Sequence, residues 1–445
     1  MFQVFRNAWM DTQLRKKILY TLFIIILFRL GSNIFVPFLD NSAIKTMMEG
    51  ASLLNYLDVM TGGSLGKGTL LAMSITPYIN ASIIIQLLAV AIPPLEKLQK
   101  EGEEGRKKLN TITKITSLAI AVLQAVAFYF TLRNGTKDAN GSHVAILKYG
   151  DVYDTSSDMF AIVLAAIVIV ACFVAGASMI IWLGDRINEK GIGNGISMIL
   201  FAGIISGLPS AVQYFITLCR DLTNIIFVIL AIIIFIAMVW FVIMMTNAER
   251  RIPVQYAKRV VGRKMYGGQS THIPIKVAMS GVMPIIFAMS LMSLPQTILY
   301  FFQITENSEG FWGGFLRVFN QGTPLYAVIY FLLIIAFNYF YVSIQYNPVE
   351  IANNLKKNNG AIPGYRPGKP TSDFIYHSLN KITLIGAIFL GIVAIFPIIL
   401  ALCVPQLRGI SIGGTTILIV VGVALETVRT LESQIMMRHH PGFLD

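Results

Sequence analysis

Ten apolar runs, each roughly 20 residues long, dominate this sequence and leave few folds open to it. In hydrocarbon no water bonds the backbone, so a chain crosses a bilayer only as α-helices or as a closed β-barrel. Barrel strands would show alternating segments of roughly ten residues. These runs are unbroken, which selects helices. They cover 18–38, 74–92, 113–132, 159–183, 192–208, 225–246, 275–302, 324–346, 382–404 and 412–430. Composition agrees: 55% of the 445 residues are hydrophobic and 13% are charged, about half the charged share of a soluble domain. The first run follows basic residues, lacks a small-residue cleavage site and contains Arg29. It reads as a retained span, not a signal peptide.

Lys and Arg number 35 against 23 Asp and Glu. On a soluble chain that excess would point to nucleic acid; here it orients the bundle, and no DNA partner is implied. The loops on the side of the N-terminus hold 26 Lys and Arg, the opposite loops 8, and Arg29 lies within the first run. This bias places the N-terminus in the cytoplasm, and an even number of spans places the C-terminus there too. Two cytoplasmic loops, 247–274 and 347–381, are too long for tight turns. Their basic residues include Arg251, Lys258, Arg259 and Arg366. Such loops attract anionic lipid and offer a docking surface to a cytosolic partner, a ribosome through its RNA phosphates included.

No catalytic constellation stands out. Intramembrane enzymes and ion-coupled pumps need ionisable groups at mid-depth. The spans at 159–183, 225–246 and 324–346 hold no such group in their interiors. Arg29, the one clear mid-span charge, has no acidic residue on its own span, so it is expected to bond backbone carbonyls or a polar group such as Asn33. His272 and His377 are isolated, and His439–His440 is a tail pair. The three cysteines, Cys172, Cys219 and Cys403, fall at unrelated spacings that suggest neither a disulfide framework nor a zinc site. No cofactor and no metal are expected. The run GIGNGIS at 191–197 lacks the spacing of a dinucleotide loop and follows a span rather than a strand; its glycines suit close helix packing. Prolines 77, 284, 295 and 397 are placed to bend or break spans. A glycine-rich segment, TGGSLGKG at 61–68, precedes the second run; it could fold back into the bundle or remain an ordinary external loop.

The local strings carry a resemblance. ITPYINASIIIQLL at 75–88, KEGEEGRKK at 100–108, GIGNGIS at 191–197, YAKR at 256–259 and QSTHIPIK at 269–276 resemble the SecY family of protein-translocase channels. So do NLKK at 354–357, PGYRPG at 363–368 and GGTT at 413–416. The strings follow the family's order along the whole chain. Departures lie at loop edges, at Val36-Pro-Phe-Leu39 and at Ile362.

The resemblance implies an all-α membrane protein of ten transmembrane helices, in two inverted five-helix halves around a central hourglass pore. The halves would be 18–218 and 219–430, flanked by cytoplasmic segments 1–17 and 431–445. It implies a pore ring of Ile75, Ile79, Ile196, Leu200, Ile286 and Ile419. It implies a plug over about 57–68, with Leu57, Thr61, Gly62, Gly63, Ser64 and Leu65, and a lateral gate between the second and seventh spans. Asn80, Ser82, Gln86 and Gln124 punctuate the gate seam. SecE and SecG would be membrane partners. The SecA ATPase and the ribosome would dock on the basic loops through Arg251, Lys258, Arg259 and Arg366. Unfolded polypeptides bearing signal sequences would be the cargo, the bacterial plasma membrane the location, and anionic lipids the surroundings. An accessory SecY-like channel for few substrates would share these strings. A secondary solute transporter would share the inverted repeats, but it calls for mid-membrane charges and a compact polar site.

Overall fold

The computed structural model describes residues 6, 8–49, 58, 61–133, 135–137, 143–150, 158–219, 225–256, 259–261, 264–266, 270–301, 310–319, 323–403 and 414–439. The N-terminal half comprises α1 (Thr12–Gly31), α2 (Asn41–Glu49), α3 (Thr76–Ala91), α4 (Pro93–Lys100) and α5 (Glu103–Arg133). It continues through β1 (Thr136–Lys137), β2 (His143–Val144), α6 (Met159–Lys190) and α7 (Gly195–Leu218). The C-terminal half begins with α8 (Ile225–Asn247), β3 (Glu249–Tyr256), β4 (Arg259–Val261), β5 (Lys264–Tyr266), β6 (Ser270–Lys276) and α9 (Met283–Phe301). It ends with α10 (Phe311–Val318), α11 (Pro324–Gln345), α12 (Pro348–Lys357), β7 (Gly360–Ala361), α13 (Lys369–Cys403) and α14 (Gly414–His439). Helices occupy all ten apolar runs. By length and apolar composition α5, α6, α8, α11 and α13 are each able to cross a bilayer, and α3 with α4 forms a pair bent by 105°.

Two helices start or stop well inside their apolar runs, while others, α5 and α13 among them, extend beyond theirs. The first helix stops at Gly31, short of residue 38. Ser32 Oγ and Asn33 Nδ2 both donate to the Arg29 carbonyl, at 2.8 and 2.9 Å. These side chains satisfy the last turn and release the chain into turns. The seventh run does not begin as helix at 275. Ile275 and Lys276 close strand β6, residues 277–282 turn, and α9 starts at Met283. Pro284 therefore sits in the first turn of α9, where a missing N–H costs nothing. Pro77 likewise opens α3 rather than kinking it, whereas Pro295 and Pro397 are inside α9 and α13. The turn ahead of α9 is held by Asn338 on α11. Its Nδ2 donates to the Thr383 carbonyl at 2.9 Å, and its Oδ1 accepts from Ser280 Oγ.

Both long loops, 247–274 and 347–381, carry structure. Strands β3 and β6 form an antiparallel hairpin, and β7 from the second loop pairs with the end of β3 through Gln255–Ala361 and Tyr256–Gly360. One three-stranded sheet, ordered β6-β3-β7, thus joins the two loops. Ile252 and Val254 point inward from β3 and pack with Ala352, Leu355, Ile362, Ile375 and Leu379. Pro253 is tolerated because β7 reaches only residues 255 and 256, leaving the unpaired edge at the proline.

Close helix approach depends on glycine. A Cβ on Gly195 would lie 1.9 Å from the Gly184 carbonyl oxygen, so α6 and α7 touch backbone to backbone. A Cβ on Gly176 would lie 1.8 Å from the Leu70 carbonyl oxygen. Gly176→Val is therefore expected to push α6 off the segment before α3. Overpacking of this kind costs about 1–3 kcal/mol, and thermal unfolding of the detergent-purified chain should show a lowered midpoint. An unchanged midpoint would mean that α6 can shift freely.

Candidate functional site

The two halves meet around an aliphatic cluster. Ile75, the residue that caps α3, and Ile79 one turn on come from the second span, joined by a backbone bond of 3.1 Å. Ile196 and Leu200 come from the first turns of α7, Ile286 from α9 and Ile419 from α14. All six belong to one apolar cluster with Ile24, Phe28, Leu71 and Ile180. Ile75, Leu200, Ile286 and Ile419 are buried within it, while Ile79 and Ile196 are half-buried. Four helices from both halves thus contribute aliphatic side chains to one place.

A cavity of about 470 Å³ opens on one side of this cluster. Leu200, Ile286 and Ile419 form its inner end, and Arg429, Thr430 and Ser433 lie toward its mouth. From Ile419 to Ser433 along α14 the depth is about 21 Å at 1.5 Å per residue. The mouth lies on the side of the three-stranded sheet, since Lys276 at the end of β6 lines it. Burial lowers the Lys276 ammonium below its usual range, and nearby Arg429 adds to this. Arg429 Nη2 donates to the Thr246 carbonyl at 2.9 Å and to Asn247 Oδ1 at 2.8 Å.

The glycine-rich segment lies on the opposite side of the cluster. Residues 61–75 run as successive turns, largely buried. Thr61 Oγ1 donates to the Asp58 carbonyl at 2.9 Å and accepts from the Leu65 N–H at 3.2 Å. The Gly63 N–H bonds the Asp58 carbonyl, and the Gly66 N–H bonds its carboxylate at 2.6 Å. The Ser64 carbonyl receives both the N–H and the hydroxyl of Thr69. Leu65 packs outward, with Val36, Ala72 and Phe173. Gly62 presses on α7, where its carbonyl accepts from Ser206 Oγ and from Arg29 Nη1, each at 3.3 Å. Arg29 thus meets a backbone carbonyl, as its lone charge suggested. The Asn33 side chain bonds the Arg29 backbone carbonyl and not its guanidinium. Leu57 lies outside the described residues.

Helix α9 packs against both α3 and α5, forming the seam at which the second and seventh spans meet. Asn80 is buried, and its Oδ1 has no hydrogen-bond partner among the described residues. Gln86 Nε2 donates to Ser82 Oγ at 2.9 Å. Those two side chains therefore satisfy each other along one helix instead of bridging the seam. Gln124 is half-buried on α5.

On the sheet side, Arg251 is exposed, and its Nε donates to Glu249 at 2.7 Å. That hydrogen bond holds the Glu249 carboxyl below the usual carboxylate range. An exposed pair of this kind adds little stability. Arg259 begins strand β4, and Lys258 lies outside the described residues. Arg366 is exposed in the turn between β7 and α13. Its backbone carbonyl accepts from Thr371 Oγ1 at 2.8 Å, and its neighbour Tyr365 lies against Phe374 at 4.3 Å between ring centroids.

The family model for SecY matches residues 69–428. The chain belongs to the SecY family. Among its relatives, the protein translocase subunit SecY of Thermotoga maritima is 40% identical over 451 residues, covering 100% of this chain and 98% of that one. The protein of the same name from Streptomyces coelicolor is 39% identical over 450 residues, covering 100% of both. The fold is similar to that in a structural study of how the SecY plug domain stabilises the closed channel. There the TM-score is 0.67 at 19% identity, covering 98% of this chain and 96% of that one. It is also similar to a canine ribosome-channel complex from the endoplasmic reticulum, with a TM-score of 0.61 at 17% identity and coverage of 98% and 96%. As a SecY-family chain it is a multi-pass membrane protein, and the ten-helix arrangement is that of the family.

Proposed function

We propose that this chain is the channel subunit of a Sec translocase. It passes unfolded polypeptides across the bacterial plasma membrane and releases membrane spans sideways between α3 and α9. The observation that carries this reading is the aliphatic cluster. Six residues from both halves converge between a polar-mouthed cavity and a folded-back, glycine-rich segment. A narrow aliphatic ring resists water and ions by dewetting. It offers no fixed pattern of donors and acceptors, so any side chain of an extended polypeptide can slide past. A solute transporter needs a compact polar site at this depth, and here the side chains are aliphatic.

In this reading residues 57–68 are the plug and the α3–α9 seam is the lateral gate. The cavity is the cytoplasmic vestibule, and both termini are cytoplasmic. SecE and SecG flank the bundle. SecA or a ribosome docks on the surface that the joined loops form, with Arg251, Lys258, Arg259 and Arg366 as contacts. The chain itself conducts and does not catalyse.

A stalled secretory chain tests the reading. A photo-crosslinker placed at Ile79 or Ile286 should form adducts with the arrested polypeptide. One placed at Ile233 on α8, where the side chain is 59% exposed at the periphery, should not. Equal labelling at all three positions, or labelling only at Ile233, would overturn the proposal.

A further inference from the structure

Arg29 carries a charge into a span yet pairs with no carboxylate among the described residues. Its guanidinium donates from α1 to one backbone carbonyl, that of Gly62, and Ser206 donates to the same oxygen from α7. The acceptor is closely held. Gly62 has φ of +68°, and a Cβ there would lie 2.6 Å from both the Gly203 carbonyl oxygen and Ser206 Oγ. Only glycine lets the segment lie this close to α7 in this conformation. The donors are placed with equal care. Ser32 and Asn33 bond the Arg29 carbonyl and fix the end of α1, while the one Ser206 hydroxyl hydrogen is shared between the Gly203 carbonyl at 2.6 Å and the Gly62 carbonyl at 3.3 Å, which makes Ser206 the minor donor to Gly62.

We propose that Arg29, assisted by the shared Ser206 hydroxyl, latches the Gly62 carbonyl and so holds the plug in the resting channel. This rests on the channel reading above and adds the residues that set how firmly the plug closes. The choice of a carbonyl is functional. A carboxylate buried against Arg29 would leave an uncompensated charge whenever the plug moved. A carbonyl can be replaced as acceptor by water or by the carbonyls that every extended polypeptide carries. The latch therefore opens for any cargo sequence, and Arg29 becomes a positioning residue of the open channel wall.

Purified translocase holding the full chain, reconstituted in planar bilayers and in vesicles, tests this. Resting ion conductance and uptake of a precursor with a defective signal are read for Arg29→Met, Arg29→Lys and Ser206→Ala, alongside thermal midpoints. Arg29→Met keeps the length and removes the donors. Its resting conductance should rise about ten-fold, the scale of losing one charge-assisted hydrogen bond, at an unchanged midpoint. Arg29→Lys should fall between it and the wild type. Ser206→Ala should rise less, and the Arg29→Met/Ser206→Ala pair should rise by less than the product of the two, because both donors serve one acceptor. Wild-type conductance and wild-type signal stringency in a folded Arg29→Met would overturn the latch. If that variant does not fold, wild-type conductance in both Ser206→Ala and Arg29→Lys overturns it, and raised conductance in Ser206→Ala supports it. Wild-type vesicles that take up no precursor at all would instead sink the channel reading.

Discussion

Asparagine at position 286 or 419 is expected to give a channel that leaks ions at rest and exports precursors whose signal sequences are defective. Both isoleucines are buried in the cluster where the halves meet. Burying an Ile side chain contributes about 1.5–3 kcal/mol relative to exposure. Asn forfeits that and brings amide groups with no partner among aliphatic neighbours. A closed state destabilised by about 2 kcal/mol shifts the opening equilibrium roughly thirty-fold. In the proposed function a signal sequence supplies that opening energy, so a weakened one becomes sufficient. The measurements are resting conductance and export of a signal-defective reporter. Ile→Leu at the same sites conserves volume and should behave nearly as wild type. Wild-type conductance and wild-type stringency in both Asn variants would mean that the cluster is packing and not a seal.

The distinction between seal and packing is the part of the site that sequence alone could not reach. The ten helices were legible because apolar runs of this length have one solution in a bilayer. Their ends were less so. Helices α5 and α13 continue well beyond the apolar runs, to Glu103 and Lys369, because charged helix outside the membrane has no hydropathy signature. Strand β3 did leave a trace: Ile252, Val254 and Tyr256 alternate with the exposed Arg251, Pro253 and Gln255, as half-buried strands do. Strand β7 has two residues, Gly360 and Ala361, and no period can be read from two. The pairing that joins the basic loops was therefore invisible. Helical spacing puts Ile196 and Leu200 on one face, but it does not say what that face meets. The resemblance supplied that expectation, and packing brings the six residues together. Ser82 and Gln86 are the converse case. Their spacing of four already allowed a bond within one helix, and the structure has it.

The joined loops give the second large expectation a mechanical basis. Arg366→Glu is expected to abolish ATPase-driven export, by roughly a hundred-fold or more, while leaving insertion and accumulation of the channel itself unchanged. The scale follows from loss of a bidentate charge-assisted contact and its replacement by repulsion, about 3 kcal/mol together. The turn that carries Arg366 is braced on both sides. Thr371 bonds the Arg366 carbonyl, and Tyr365 lies on Phe374 at the start of α13. The guanidinium itself has no intramolecular partner among the described residues. Its backbone is thus held in place while its guanidinium is exposed, an arrangement suited to a carboxylate or phosphate on the proposed partner. The side chain bonds no other described residue, so thermal unfolding should not change. Arg366→Lys keeps the charge but loses the planar fork and should retain partial export. Arg251→Glu offers a contrast: Arg251 is already paired with Glu249, so its replacement should weaken docking less. ATP-dependent uptake of a precursor into inverted vesicles measures all three. Normal uptake with Arg366→Glu would remove Arg366 from the docking surface, and a matching loss of thermal stability would assign it to folding instead.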